Sequence, residues 1–243
     1  MKIDVRVVRA LAGRTFRNAV ESPMAYVAAV FFYAFVGCIV ALGYFAQNQA
    51  SMDAVAGIAP WGLWFVVPIL TMGLLSEEMR SGTFESLSTL PVTDTEIVLG
   101  KYLGFAAMSL CLVGGLAFFA LVAGATVHPH ASVDGGAALG TLAGLYLLTL
   151  AFGAIGLFAS SLVRSQVVAV IIALSFCTFF FMAGQFYAAL PGGLARLADY
   201  IGTASHFDSL ARGVWDLRDL AYFASLAGFF LFLTVQRLST RRF

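Results

Sequence analysis

Along the chain, long apolar runs alternate with short polar joints. No Asp, Glu, Lys or Arg occurs in 22–52, 54–76, 102–133, 135–163, 165–195 or 220–236. A membrane-spanning helix needs about 20 predominantly apolar residues, within a range of roughly 17–25. Each of these windows is long enough, the last at the lower limit. They predict six transmembrane helices, at 24–46, 59–77, 97–124, 137–161, 166–189 and 219–237. Ahead of the first, residues 3–20 follow a helical period. At about 100° per residue, Arg6, Arg9, Arg14 and Arg17 share one arc, while Val8, Leu11, Ala12, Phe16 and Ala19 cluster opposite. Such a helix lies on a membrane surface with its apolar side in the acyl boundary. Residues 1–22 are therefore read as a surface helix anchored by those four arginines.

Composition agrees with the pattern. The chain of 243 residues is 60% hydrophobic and 11% charged, with a mean hydropathy of +0.91, well beyond a soluble domain. The first apolar run starts too late, and is too long, for a secretory signal peptide. Lys and Arg concentrate on the cytoplasmic flanks of membrane proteins. With the N-terminus inside, Lys2, Arg6, Arg9, Arg14, Arg17, Arg80, Lys101, Arg164, Arg237, Arg241 and Arg242 fall inside, against Arg196, Arg212 and Arg218 outside. Both termini are expected in the cytoplasm. The outer loop at 190–218 keeps amphipathic character and predicts short helices, with Tyr187, Tyr200 and Trp215 suited to the headgroup region. GxxxG spacings at Gly100/Gly104 and Gly140/Gly144 mark faces where helices approach closely.

Several chemistries find no residues to carry them. There is no GxxxxGK[ST] phosphate loop, HExxH helix or nucleophile elbow. No basic cluster of the kind that binds nucleic acid stands outside the membrane flanks. His128-Pro129-His130 reads as a turn rather than a metal site, and His206 and Asp208 as partners in local loop hydrogen bonding. Cys38, Cys111 and Cys177 lack CxxC spacing and read as small buried hydrophobes. The spans hold no ionisable residue of the sort that ion-coupled carriers keep at mid-membrane. The chain is not expected to be an enzyme, nor to hold a cofactor or metal; any active transport draws its energy from elsewhere.

One segment stands apart. SEEMRSGTFESLSTLPVTDTEIVLGKYLG, Ser76 to Gly104, carries five acidic and two basic residues. Glu77 and Glu78 fall at the C-terminal end of the second span, where the helix dipole disfavours negative charge and a cationic partner is called for. Ser81-Gly82-Thr83 breaks the helix, with Thr83 a candidate N-cap for a short helix through Phe84, Leu87 and Leu90 that Pro91 stops. Thr93-x-x-Glu96 has the form of a capping box opening the third span. The loop at 77–96 thus reads as a compact helix–turn–helix device.

EEMRSGTFESLSTLPVTDTEIVLGKYLG closely resembles the first cytoplasmic loop of ABC-2-type transporter permeases, specifically the gliding-motility GldF-like branch. HFDSLARGVWDLRDLAYFASLAGFFLFLTVQRLSTRR is similar to the outer loop and sixth span of that branch, with Ser86 and Ser88 a mild departure from it in the first loop. The resemblance implies a single transmembrane domain over 1–243 in a bacterial inner membrane, and a loop that serves as a coupling helix. That helix docks into a separate ABC ATP-binding subunit, which supplies ATP and Mg. It implies that Glu77, Glu78, Arg80, Gly82, Thr83, Glu85, Leu90 and Pro91 lie at or near that contact. A second permease chain, homo- or heterodimeric, completes the transporter, with an extracytoplasmic accessory subunit as a further partner. Export is the expected direction. A second reading stays open, a membrane anchor that relays ATPase action to an outer partner without translocating substrate, and no substrate path is legible in the chain.

Overall fold

The computed structural model describes residues 4–47, 53–83, 92–119, 121, 135–185 and 192–240. Among them every regular element is a helix: α1 Val5–Glu21, α2 Pro23–Gln47, α3 Asp53–Thr71, α4 Gly73–Ser81 and α5 Asp94–Gly114 come first. Then follow α6 Gly135–Leu162, α7 Gln166–Ala183, α8 Gly192–Ile201, α9 Thr203–Ala211 and α10 Leu217–Ser239. Six helical stretches are long and apolar enough to cross a membrane: α2, α3 with α4, α5 with its continuation to Phe119, α6, α7 and α10. The protein is an all-α integral membrane protein.

The six match the charge-free windows, with two revisions. The second span starts at Asp53, six residues ahead of the expected boundary, because Asp53 is the charge that opens the helix. It also breaks once, at Met72, between α3 and α4. The third span turns at Gly115 and Leu116 before resuming. The expected end of the fifth span, at 186–189, lies outside the described residues.

α6 is the central post. Two-thirds of its apolar window is buried, against 17% for α2 and 22% for α7, so those two helices present most of their surface outward. In lipid, apolar side chains gain nothing by leaving the bilayer for one another, so close packing must hold the bundle. Glycine makes that packing possible on α6. A Cβ added at Gly153 would stand 2.0 Å from Phe105 Cε1, and one at Gly156 1.9 Å from Thr71 Oγ1. Phe32, Phe105, Phe152 and Phe181 fill the middle of the bundle. Cys177 is buried, whereas Cys38 and Cys111 lie on exposed faces and are not the buried hydrophobes their apolar surroundings suggest.

Each end of the bundle is closed by helices too short or too polar to span it. At one end α1 runs beside α5. At the other, α8 and α9 are the short helices expected between the fifth and sixth spans. Tyr200 and Trp215 are exposed there, as headgroup contact requires; Tyr187 lies outside the described residues, as do His128 and His130.

His206 makes one contact within the outer loop, its Nε2 lying 3.3 Å from the Tyr200 carbonyl, and one beyond it. Its Nδ1 is 2.7 Å from Asp219 Oδ1 at the start of α10, and its ring stacks on Tyr222 at 4.0 Å. Asp208 is not its partner. Helical geometry explains this: residues two apart on α9 point to different sides, and the side bearing His206 is the one that meets α10.

Alanine at Gly156 should lower stability by about 1–3 kcal/mol, the usual range for overpacking. Alanine at Gly228, where a Cβ meets nothing within 4 Å, should have no such effect. Thermal unfolding of both variants in one detergent checks the contrast.

Candidate functional site: the charged junction at the α1 end

The kink between α3 and α4 begins with sequence. Pro60 and Pro68 sit inside α3, and Pro68 removes the N–H that would bond the carbonyl four residues back. Thr71 then turns its hydroxyl onto the Val67 carbonyl, at 2.9 Å, a bond that bends helices. The break leaves N–H groups in the first turn of α4 without their usual helical partners, and neighbouring helices make polar contacts with it. The Leu75 N–H donates to Ser160 Oγ of α6 at 3.2 Å. The Leu74 carbonyl accepts from Lys101 Nζ of α5 at 2.5 Å.

Lys101 is the organising group. Its side chain is 7% exposed, and Nζ lies 2.8 Å from Glu78 Oε2. An ammonium taken so far from water is tolerated only with partners of opposite charge and good acceptors, and α4 supplies both. The cationic partner that the helix dipole requires near Glu78 is therefore found within the same chain. Glu77, by contrast, is exposed. Beneath the pair, Leu75, Val98, Leu157 and Leu238 pack together. The junction thus ties α4 to α5, α6 and α10.

Glu96 makes a second tie. Thr93 and Glu96 form the expected capping box: Thr93 Oγ1 accepts from the Glu96 N–H at 3.2 Å, and Glu96 Oε2 accepts from the Thr93 N–H at 2.8 Å. The other carboxylate oxygen, Oε1, accepts from the Asp4 N–H at 2.7 Å. Asp4 is itself the N-cap of α1, its side chain accepting from the Arg6 N–H at 2.9 Å. One buried carboxylate therefore joins the N-termini of two helices.

From that shared start α1 and α5 run side by side in the same direction. A Cβ at Gly100 would meet Leu11 Cβ at 2.5 Å, and one at Gly104 would meet Thr15 Cβ at 2.6 Å. Steps of four along α1 match steps of four along α5. The apolar side of α1, expected to lie in the acyl boundary, is given largely to this glycine stripe, with Val8 and Thr15 buried. Two helices can approach so closely only where one lacks Cβ atoms. Arg6, Arg9, Arg14 and Arg17 remain exposed on the other side. Gly140 and Gly144 are matched in the same manner at the far end, against Leu210 and Phe207 of α9.

Of the loop residues singled out in the sequence, Glu77, Arg80, Gly82 and Thr83 are exposed at the tip of α4. Gly82 has a φ of 74° and ends the helix in the left-handed conformation that suits glycine. Thr83 turns back, its hydroxyl 3.4 Å from the Glu78 carbonyl and 2.9 Å from Ser81 Oγ. These contacts tie Thr83 to the end of α4; its expected role as an N-cap concerns a helix outside the described residues. Glu85, Leu90 and Pro91 lie outside the described residues, and with them the short helix expected at 84–90.

A cleft of 440 Å³ opens beside the junction, between α1 and α4, with Arg14, Asn18, Glu77, Lys101 and Gln166 on its walls. Among the described residues, no group of three or more His, Cys, Asp or Glu converges to hold a metal. What the arrangement does is structural: it ties α4 to α5 and α5 to α1.

Two features of this junction are not evident from the charge pattern. Along the sequence Lys101 is one more inside charge, although a lysine seven residues into a helix that enters lipid needs a partner. Glu96 shows only its local cap, since Asp4 is 92 positions away.

Lys101→Met leaves Glu78 without its cation and should cost about 1–3 kcal/mol, below the usual figure for a wholly buried pair because Glu78 is partly hydrated. Lys101→Met combined with Glu78→Leu should cost less than the sum of the two single changes, in a double-mutant cycle of unfolding. Glu96→Ala should raise amide exchange in the first turns of α1 and α5 together, while Thr93→Ala should raise it in α5 alone; hydrogen exchange by mass spectrometry resolves the two.

Comparison with known sequences closes the description. A family model described as ABC-2 family transporter protein matches residues 9–236. No curated protein matches the chain. The match covers the first five apolar helices, most of the sixth, and the junction that joins the second to the third. The chain belongs to the ABC-2 transporter family and is a multi-pass membrane permease subunit of an ABC transporter.

Proposed function

We propose that this permease is an exporter subunit of the GldF-like branch and that the segment joining α4 to α5 is its coupling helix, docked on a separate ATP-binding subunit. The observation that carries the reading is the Lys101 clamp. Residues 84–91 leave α4 at Thr83 and rejoin the described chain just before Thr93. Both of these flanks are fixed to each other, α4 through Glu78 and Leu74 to Lys101, and α5 through Glu96 to α1. A force applied to the segment reaches α3, α5 and α1 as one body and does not dissipate in a flexible loop. Nucleotide-driven closure of the ATPase subunits supplies that force, through contacts that differ between its open and closed states.

The exposed tip of α4 provides the contact: Glu77 and Arg80, with Gly82 and Thr83 at the turn, continued by Glu85, Leu90 and Pro91. Glu78 serves from within, holding the tip in place. The arginines of α1 and the distribution of Lys and Arg support a cytoplasmic side for this end of the bundle and for both termini, in a bacterial inner membrane. Two permease chains around a two-fold axis, with two ATPase subunits, complete the assembly. ATP and Mg belong to the ATPase subunits, and an accessory subunit outside the membrane is a further partner.

Co-expression with an ABC ATP-binding subunit tests the reading. Glu77→Lys together with Arg80→Glu should weaken co-purification by about tenfold or more, since reversed charges at a contact are strongly unfavourable, and should abolish stimulation of ATP hydrolysis. Undiminished association and stimulation would contradict it. ATP-dependent accumulation of substrate in vesicles separates export from force transmission alone.

A further inference from the structure

At the end of the bundle remote from the junction, α3, α6, α7 and α9 enclose a second cavity, of 200 Å³. Its walls divide into two chemically distinct halves. One half is aromatic and acidic. Trp61 and Phe181 meet at 89° with centroids 4.9 Å apart and form a corner, Phe207 adds a third ring, and Asp208 and Gln185 complete that side. Rings at right angles around a carboxylate are the arrangement that attracts an organic ammonium, through the ring faces and the negative charge together.

The other half offers donors. α9 begins here, at Thr203 and Ala204, and its N-cap is Gly202, which provides no side-chain acceptor for the first-turn amides. Thr203 is wholly buried, and its hydroxyl has no hydrogen-bond partner among the described residues. A buried hydroxyl left without a partner costs free energy comparable to a lost hydrogen bond. An anionic oxygen placed at this helix N-terminus would satisfy both the hydroxyl and the uncapped amides. Asp208 follows Thr203 by five residues, about 7.5 Å along the helix axis, so the two halves are separated by the length of a small molecule.

We propose that this cavity binds a small zwitterion, its ammonium against Trp61, Phe181 and Asp208 and its anionic oxygens against Thr203 and the N-terminus of α9. Partial desolvation against the cavity wall raises the Asp208 carboxyl above its ordinary value and Arg212 draws it partly back, so its ionised form gains from an incoming cation. Trp61 and Asp208, both exposed, form the entrance. A phosphoethanolamine group has both charges at suitable separation. It is presented equally by a lipid headgroup or by a free molecule.

The test uses the full chain in nanodiscs of phosphatidylglycerol, titrated with phosphoethanolamine while tryptophan fluorescence is recorded. The response should saturate, and Trp61→Phe should remove it. Ethanolamine and inorganic phosphate, each one half of the ligand, should bind about tenfold or more weakly. Asp208→Asn should weaken phosphoethanolamine by about tenfold and leave phosphate unchanged, whereas Thr203→Val should weaken phosphate as well. Variants are compared only where gel filtration and thermal unfolding match the parent. In nanodiscs containing phosphatidylethanolamine, a titration shifted to higher concentration identifies the lipid headgroup as the occupant, and an unshifted one identifies the soluble zwitterion. No saturable response in phosphatidylglycerol, or one indifferent to both Asp208→Asn and Thr203→Val, would overturn the proposal.

Discussion

A lysine ammonium buried at the end of an apolar bundle has to be answered where it stands, and the junction is organised by that requirement. The Lys101 side chain is only 7% exposed, so α4 must bring it a carboxylate and a carbonyl. Bringing them requires the second span to bend at Met72, which Pro68 and Thr71 arrange. The bend exposes a backbone N–H that Ser160 then accepts. Each step follows from the cost of leaving a charged or polar group unpaired away from water. The result is a joint whose parts come from α3, α4, α5 and α6.

Glycine sets the other condition. The two GxxxG faces do not pair spanning helices with one another. Gly100 and Gly104 admit α1, while Gly140 and Gly144 admit α9. Both guests are amphipathic helices that do not span, and both close an end of the bundle. Spanning contacts rest instead on single glycines, Gly153 and Gly156, that receive Phe105 and Thr71. Where lipid competes for every apolar surface, close approach decides which faces meet.

Much of the architecture is legible in the sequence because a bilayer imposes a coarse rule. Long windows without charge mark the spans, and the capping box at Thr93 and Glu96 marks the start of α5 to within a residue. The short helices at 192–211 follow from their amphipathic period. Contacts between elements distant in sequence are not legible in this way. That Glu96 also caps α1, that Glu78 turns inward while Glu77 turns out, and that His206 reaches Asp219 depend on how helices are placed about their axes. A charge pattern read along a line does not contain that angle. The break at Met72 lies between these cases: Pro68 announces a disturbance, but its position further along the helix is set by Thr71 and by the neighbours that receive the freed groups.

If α4 and α5 form one lever, the distance between them must survive the transport cycle. Nitroxide labels at Ser81 of α4 and Thr95 of α5, in a chain with Cys38, Cys111 and Cys177 replaced, report that distance by electron double resonance. A second pair, Ser81 with Val167 of α7, reports movement of the lever against the rest. In the presence of the ATPase subunits, trapping ATP should leave the first distribution unchanged in mean and width and shift the second. A first distribution that moves or broadens on ATP binding would contradict the account, because the clamp at Lys101 would then not transmit the motion.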